Sequence, residues 1–189
     1  MANAGGTLTI TRSTISGNSL TSPNGQGAGL WTGVNATLAN TTVSGNTSNS
    51  NNSLGGGIYV ATSVGNFSAD HVTVTANSSV GNGTNSGGGI FHPAFVTGTI
   101  RNSIFAGNTT SGTGADMSGT FTSGGYNLVG VGAGSTGFTN GVLADQVGTA
   151  GSPIAPLLQP LAANGGPTLT HALSPLSPAR DKGSAGGGL

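Results

Sequence analysis

The chain has 189 residues, no cysteine, 4% charged residues and a formal net charge of zero. Nucleic-acid binding and attraction to an anionic membrane both need a basic patch, which four Lys and Arg in the whole chain do not supply. With no cysteine there is no disulfide or thiolate metal site, and no apolar run reaches the length of a membrane span.

Gly 37 and Pro 8 would suit a low-complexity chain, but zero net charge and a mean hydropathy of +0.05 do not suit disorder. The glycines therefore have to be read by position. The start, MANAGGTLTITR, has no basic and apolar signal-peptide regions and opens almost directly into repeat-like sequence, so it reads as a piece of a longer chain. The lack of cysteine points to a bacterial rather than a eukaryotic secreted protein.

In chain order, four segments align on an asparagine: GTLTITRSTISGN ending at Asn18, NATLANTTVSGN at Asn46, FSADHVTVTAN at Asn77 and TGTIRNSIFAGN at Asn108. The spacings are 28, 31 and 31 residues. Between them fall three glycine-led hexapeptides, GAGLWT (27–32), GGGIYV (55–60) and GGGIFH (87–92). Short alternating apolar runs rich in Thr, Val and Ile predict strands, and residues 5–110 carry no helical period. Ile10, Ile15, Leu30, Leu38, Val43, Ile58, Val74, Ile90, Ile100 and Phe105 fall at the repeated inward positions and form the expected core. A unit of about 30 residues cannot bury its own apolar face, so units must stack on one shared core. The expected fold is all-β: a right-handed parallel β-helix (β-solenoid) over residues 1–130, with an irregular Pro/Gly-rich segment over 131–189 packing on it or capping it.

GGGIY followed by a T(V/I)SGN strand resembles the right-handed β-helix repeats of bacterial surface proteins, including polymorphic outer-membrane and adhesin-like proteins. DMSGTFTSGGYNLVG and PLLQPLAANGGPTLTHALSPLSPARDKG are similar to the C-terminal segment of large exported β-helix proteins of the choice-of-anchor type. The resemblance implies a non-catalytic structural or adhesive role outside the cell or at its surface, with a cell-surface partner or glycan bound along a solenoid face. No cofactor or metal is expected.

In a β-solenoid equivalent positions lie about 4.8 Å apart, so each alignment column is a physical ladder. Asn18, Asn46, Asn77 and Asn108 make an asparagine ladder at a turn, each after Gly17, Gly45, Ala76 or Gly107. Trp31, Tyr59 and Phe91 make an aromatic column. If Leu30, Ile58 and Ile90 point inward, alternation turns the rings outward as a candidate binding stripe; otherwise the stripe lies beneath a loop or stacks inside. Thr14, Thr42 and Thr73, with Ser16, Ser44 and Thr75, form a candidate exposed Thr/Ser face of the kind ice-binding solenoids use, broken at Ile104 and Ala106.

For catalysis the four aspartates, Asp70, Asp116, Asp145 and Asp181, fall on different units, and there is no glutamate. Asp70 and Arg101 share a register one coil apart and are expected to form a surface ion pair. Asp70 and His71, adjacent in a strand, are expected to point apart. His71 reads as a turn residue, His92 as a strand end and His171 as a structural histidine bonded to loop backbone. Met117, Phe121, Tyr126 and Leu128 are core or cap candidates. The chain is thus expected not to be an enzyme, the other readings being a polysaccharide lyase or hydrolase, and a filament subunit that self-associates through solenoid ends.

Overall fold

A computed structural model describes residues 1–3, 5–61, 65–93 and 97–184. The last few residues of the expected C-terminal segment lie outside this range. The chain is a parallel β-solenoid of about 4 coils of about 28 residues. Three parallel sheets run along its axis. The aromatic sheet takes Ala2–Asn3, Leu30–Thr32, Ile58–Val60, Ile90–His92, Met117–Thr120 and Ser135–Thr136. The short sheet takes Ser19–Leu20, Thr47–Asn49, Ser78–Val80 and Thr109–Thr110. The long sheet is built on Ala36–Ser44 and Asn66–Thr75, flanked by shorter pieces from Leu8–Thr11 to Gln146–Val147.

Corners recur because the sequence supplies left-handed residues at coil spacing. One column of positive φ runs through Arg12, Asn40, His71, Asn102 and Tyr126 and bends the long sheet; a second runs through Gly17, Gly45, Ala76 and Gly107; a third through Gly27, Gly55, Gly87 and Gly114. In the asparagine column, then, the small residue before each Asn adopts the left-handed conformation, and the Asn follows it in the corner.

All ten expected core residues are buried, and all ten belong with Phe67 and Met117 to a single apolar core filled by Ile, Leu, Val and Phe from the sheets. Register pairs Leu30 with Ile58, Ile58 with Ile90, and Ile90 with Met117, so like stacks on like. Phe121 and Leu128 extend the core toward the C-terminal end, whereas Tyr126 stands exposed on a left-handed corner. His92 is fully buried, its ring tilted against Phe67 (centroids 6.2 Å) and Phe121 (4.9 Å).

The parallel rungs continue past residue 130: Ser135–Thr136 pairs with Met117–Thr120, and Gln146–Val147 pairs with Leu128–Val129. Coils also shorten here, from a separation of 31 residues between Asn46 and Asn77 to 24 between Ser103 and Asn127 and 18 between Asn127 and Asp145. The solenoid narrows because the short sheet ends at Thr109–Thr110. Beyond it, Leu158–Ala162 and Thr170–Leu173 form an antiparallel hairpin.

Candidate functional site

The Thr/Ser face is not the open surface its sequence suggests. The C-terminal hairpin lies over it: Thr14 Oγ1 donates to the Leu169 carbonyl (2.6 Å), and Ser44 Oγ meets His171 Nε2 at 2.8 Å. Thr42, Ser44 and Thr75 are buried, and Thr14, Ser16 and Thr73 are half-buried. A flat free array for ice is therefore absent at these six positions. The pairing that covers them links residues 155 apart and has no signature in the repeat itself. His171 Nδ1 lies 2.7 Å from the Gln159 carbonyl, which can only accept, so the ring donates there and its Nε2 accepts from the Ser44 hydroxyl. His171→Ala should speed hydrogen exchange and proteolysis within residues 158–173 while shifting global unfolding by no more than about 2 kcal/mol, the usual worth of two hydrogen bonds. Unchanged exchange in the hairpin would contradict this docking.

The aromatic column faces outward. Leu30, Thr32, Ile58, Val60, Ile90 and His92 are fully buried, so the residues between them, Trp31, Tyr59 and Phe91, point to the other side of the sheet. Tyr59 and Phe91 stack with centroids 5.6 Å apart and planes 6° apart. Sandwiched between its neighbours on adjoining coils, Tyr59 is only 9% exposed, and this burial raises its phenol pKa. Trp31 and Phe91 at the two ends of the column stay partly exposed. The stack is flanked by the small residues Ala2 beyond Trp31 and Ser118 beyond Phe91, which leaves the two end rings less covered than Tyr59.

The asparagine column is a continuous hydrogen-bonded ladder. The backbone N–H and Nδ2 of Asn18 both donate to Asn46 Oδ1 (3.1 and 2.8 Å), those of Asn46 to Asn77 Oδ1 (3.0 and 2.8 Å), and those of Asn77 to Asn108 Oδ1 (3.0 and 2.9 Å). Asn46 and Asn77 are fully buried, and Asn77 Nδ2 also reaches the Val43 and Thr75 carbonyls. The glycine at the third position of each hexapeptide makes room for this ladder: a Cβ on Gly29, Gly57 or Gly89 would stand 2.8 to 2.9 Å from the nearest atom of Asn46, Asn77 or Asn108.

Sequence reasoning missed how the ladder ends. Asn108 donates its N–H and Nδ2 to Asp116 Oδ1, both at 2.9 Å, and Val131 N–H donates to Asp116 Oδ2 at 2.8 Å. A second, shorter ladder runs from Ser103 N–H to Asn127 Oδ1, then from Asn127 N–H and Nδ2 to Asp145 Oδ1, with Ser123 Oγ on Asp145 Oδ2 at 2.6 Å. Both columns stop on a carboxylate, which accepts without needing a further acceptor below it. Asp116 stands 8 residues after Asn108, far from the coil period, so no repeat alignment flags it.

Burial raises the Asp116 pKa above its ordinary 3.8, against the hydrogen bonds from Asn108 and Val131, which lower it. A folded-state value above the unfolded one means that the group's stabilising contribution is complete below the unfolded pKa and is lost as pH rises through the folded pKa. Unfolding free energy measured upward from pH 3.8 should therefore fall more steeply for the native chain than for Asp116→Asn, which has no proton to lose there. Parallel pH profiles for the two would contradict this assignment.

Asp70 and Arg101 are register partners, and Arg101 Nε lies 3.0 Å from Asp70 Oδ2. Asp70 and His71 do not point apart: the left-handed backbone at His71 (φ 54) turns its Nδ1 to 2.8 Å from Asp70 Oδ1. Asn102 Nδ2 approaches the same oxygen at 3.4 Å. Beside this corner a cavity of about 230 Å³ opens between solenoid and hairpin, lined by His71, Thr73, Asn102, Ile104, Leu158 and His171. Asp70, Asp116 and Asp145 are thus all tied into structural contacts. Among the described residues no group of three or more His, Cys, Asp or Glu is placed to hold a metal ion. No described helix is long and apolar enough to cross a membrane.

Comparison with known proteins finds no matching family model, no matching curated protein and no matching solved structure.

Proposed function

We propose that this chain is a non-catalytic structural and adhesive module of a bacterial exported surface protein, holding out a solenoid face to a cell-surface or glycan partner. The observation that carries the reading is the outward aromatic column of Trp31, Tyr59 and Phe91 on a stack of coils held in register by side-chain ladders. No hydrogen bond from the C-terminal hairpin reaches this column among the described residues, in contrast to the Thr/Ser face. Partners then contact the column most at the less covered rings of Trp31 and Phe91. The resemblance of GGGIY with T(V/I)SGN to the β-helix repeats of bacterial surface proteins, and of the segment holding NGGPTLTHAL to the C-terminal segment of exported β-helix proteins, supports the surface setting.

The test is binding of the full chain to a glycan array and to intact cell surfaces, beside Trp31→Ala and Phe91→Ala. Binding that drops about ten-fold or more in both variants is the expected result, as for large aromatic anchors. Absence of binding to any glycan or surface removes the adhesive part of the reading, and turnover of an acidic polysaccharide that is lost in Asp70→Ala would replace it with an enzymatic one.

A further inference from the structure

Asparagine is followed by glycine at Asn24–Gly25, Asn82–Gly83, Asn140–Gly141 and Asn164–Gly165, and all four asparagines are exposed. With no side chain on the second residue, its amide nitrogen can close on the asparagine Cγ unhindered. Three of the four pairs are held against this. Gly25 N–H donates to Ser50 Oγ and Gly141 N–H to the Asp145 carbonyl, both at 2.8 Å, which occupies each attacking nitrogen. Asn164 Nδ2 donates to the Thr170 carbonyl and Oγ1 (2.9 and 3.1 Å), which fixes that side chain on the hairpin. At the fourth pair, Gly83 N–H and the Asn82 side chain make no hydrogen bond with a described residue; only the Asn82 carbonyl is tied, accepting from Asn52 N–H at 3.1 Å.

The uneven coils explain the difference. Ser79 pairs with Thr110 and Ser86 with Thr113, so the chain takes seven residues round this corner where the next coil takes three. The next coil cuts inside so closely that a Cβ on its Gly112 would collide with the Asn85 carbonyl. Residues 81–84 therefore stand out with no coil above them to accept the Gly83 N–H. The Asn24–Gly25 corner, by contrast, is covered: Asn24 N–H donates to the Asn51 carbonyl of the next coil. A hollow of about 320 Å³ lined by Thr21, Pro23, Asn49, Asn51, Gly81 and Asn82 gives water access to the Asn82 side chain.

We propose that Asn82 is a site of spontaneous covalent modification, converted through ring closure with Gly83 while the other three Asn-Gly pairs stay intact in the folded chain. Hydroxide takes the Gly83 amide proton, and the nitrogen attacks Asn82 Cγ. A new N–C bond forms, the Cγ–Nδ2 bond breaks, and the amide nitrogen takes a proton from water and leaves as ammonia. Water then opens the five-membered imide at either carbonyl, giving aspartate or isoaspartate. Either product adds a negative charge to a chain whose formal net charge is zero. Isoaspartate also lengthens the backbone by one carbon, which draws its carbonyl away from Asn52 N–H.

The test holds the full chain in mildly alkaline buffer and follows each Asn-Gly peptide by mass spectrometry after digestion, reading conversion of amide to acid. Asn82 is expected to convert about ten-fold faster than the other three, since a hydrogen bond that must break before attack slows the step by up to about that factor. In denaturant the four rates should converge, because the protecting bonds are gone. Ser50→Ala, which frees Gly25 N–H, should speed conversion at Asn24 and leave Asn82 unchanged, with the fold checked from the amide spectrum. Where that variant loses its fold, the comparison of native with denatured chain carries the test alone. Conversion first at Asn24, Asn140 or Asn164, or at one common rate in the folded chain, overturns the proposal. So does an Asn82 that stays intact in the folded chain and reacts once it is unfolded.

Discussion

Asn77→Ala is expected to lower the unfolding free energy by about 4 kcal/mol, read from the denaturant midpoint, because each buried polar group left unsatisfied costs about 1–3 kcal/mol. The substitution strands Asn46 N–H, leaves Asn46 Nδ2 with only the Ile15 carbonyl, and removes the Nδ2 that serves the Val43 carbonyl and Asn108 Oδ1. None of these groups can turn to solvent, since Asn46 and Asn77 are fully buried. Asn18→Ala at the exposed end of the same column should cost about 1 kcal/mol or less, because water replaces what it loses there. Equal losses at Asn18 and Asn77 would mean that the ladder is a surface feature and not an internal girder.

Gly57→Ala should destabilise the chain by about 3 kcal/mol, at the upper range for overpacking a rigid site. A methyl there would sit 2.6 Å from the Gly89 carbonyl oxygen and 2.9 Å from Asn77 Cγ. The first of these is backbone on the next coil and cannot rotate away. The second is the ladder itself, so Gly57→Ala and Asn77→Ala share a contact. Their combined effect should fall short of the sum of the two, since truncating Asn77 vacates part of the space that the methyl needs. A strictly additive double variant would show that glycine and asparagine columns are independent. Gly55, two residues earlier, has a different role: its φ of 67 makes it the turning residue. The run of glycines in GGGIYV therefore combines one residue that turns with others that admit close approach.

Most of the solenoid was legible because a period fixes many contacts at once. Once Asn18, Asn46, Asn77 and Asn108 are aligned, the partners Leu30 and Ile58, Thr42 and Thr73, and Asp70 and Arg101 follow from counting. The outward direction of Trp31, Tyr59 and Phe91 follows from alternation once Leu30, Ile58 and Ile90 are known to face in. What stayed hidden lies where the period fails. Asp116 and Asp145 end the ladders at distances of 8 and 18 residues from their partners, the first no coil at all and the second a shortened one, neither matching the 28 to 31 residues of the repeat. The approach of His71 to Asp70 depends on a left-handed backbone that strand alternation does not allow for. The cover over Thr14 and Ser44 comes from an antiparallel hairpin, which obeys none of the repeat's rules. For the same reason the C-terminal leucines, among them Leu176 at 82% exposed, carry no column signature.

The coil-by-coil parallel register is the claim on which the ladders, the core and the aromatic column all depend, and the absence of native cysteine allows it to be tested by cross-linking. Ser78 and Thr109 are register partners on the short sheet, one coil apart, and Thr110 is one step further along. Under mild oxidation Ser78→Cys with Thr109→Cys should form an intramolecular disulfide in high yield, since adjacent strands bring partner Cα atoms within the reach of that bond. Ser78→Cys with Thr110→Cys should stay reduced, because a one-residue slip puts the two side chains on opposite faces of the sheet. Efficient cross-linking of the slipped pair, or of neither, would contradict the account.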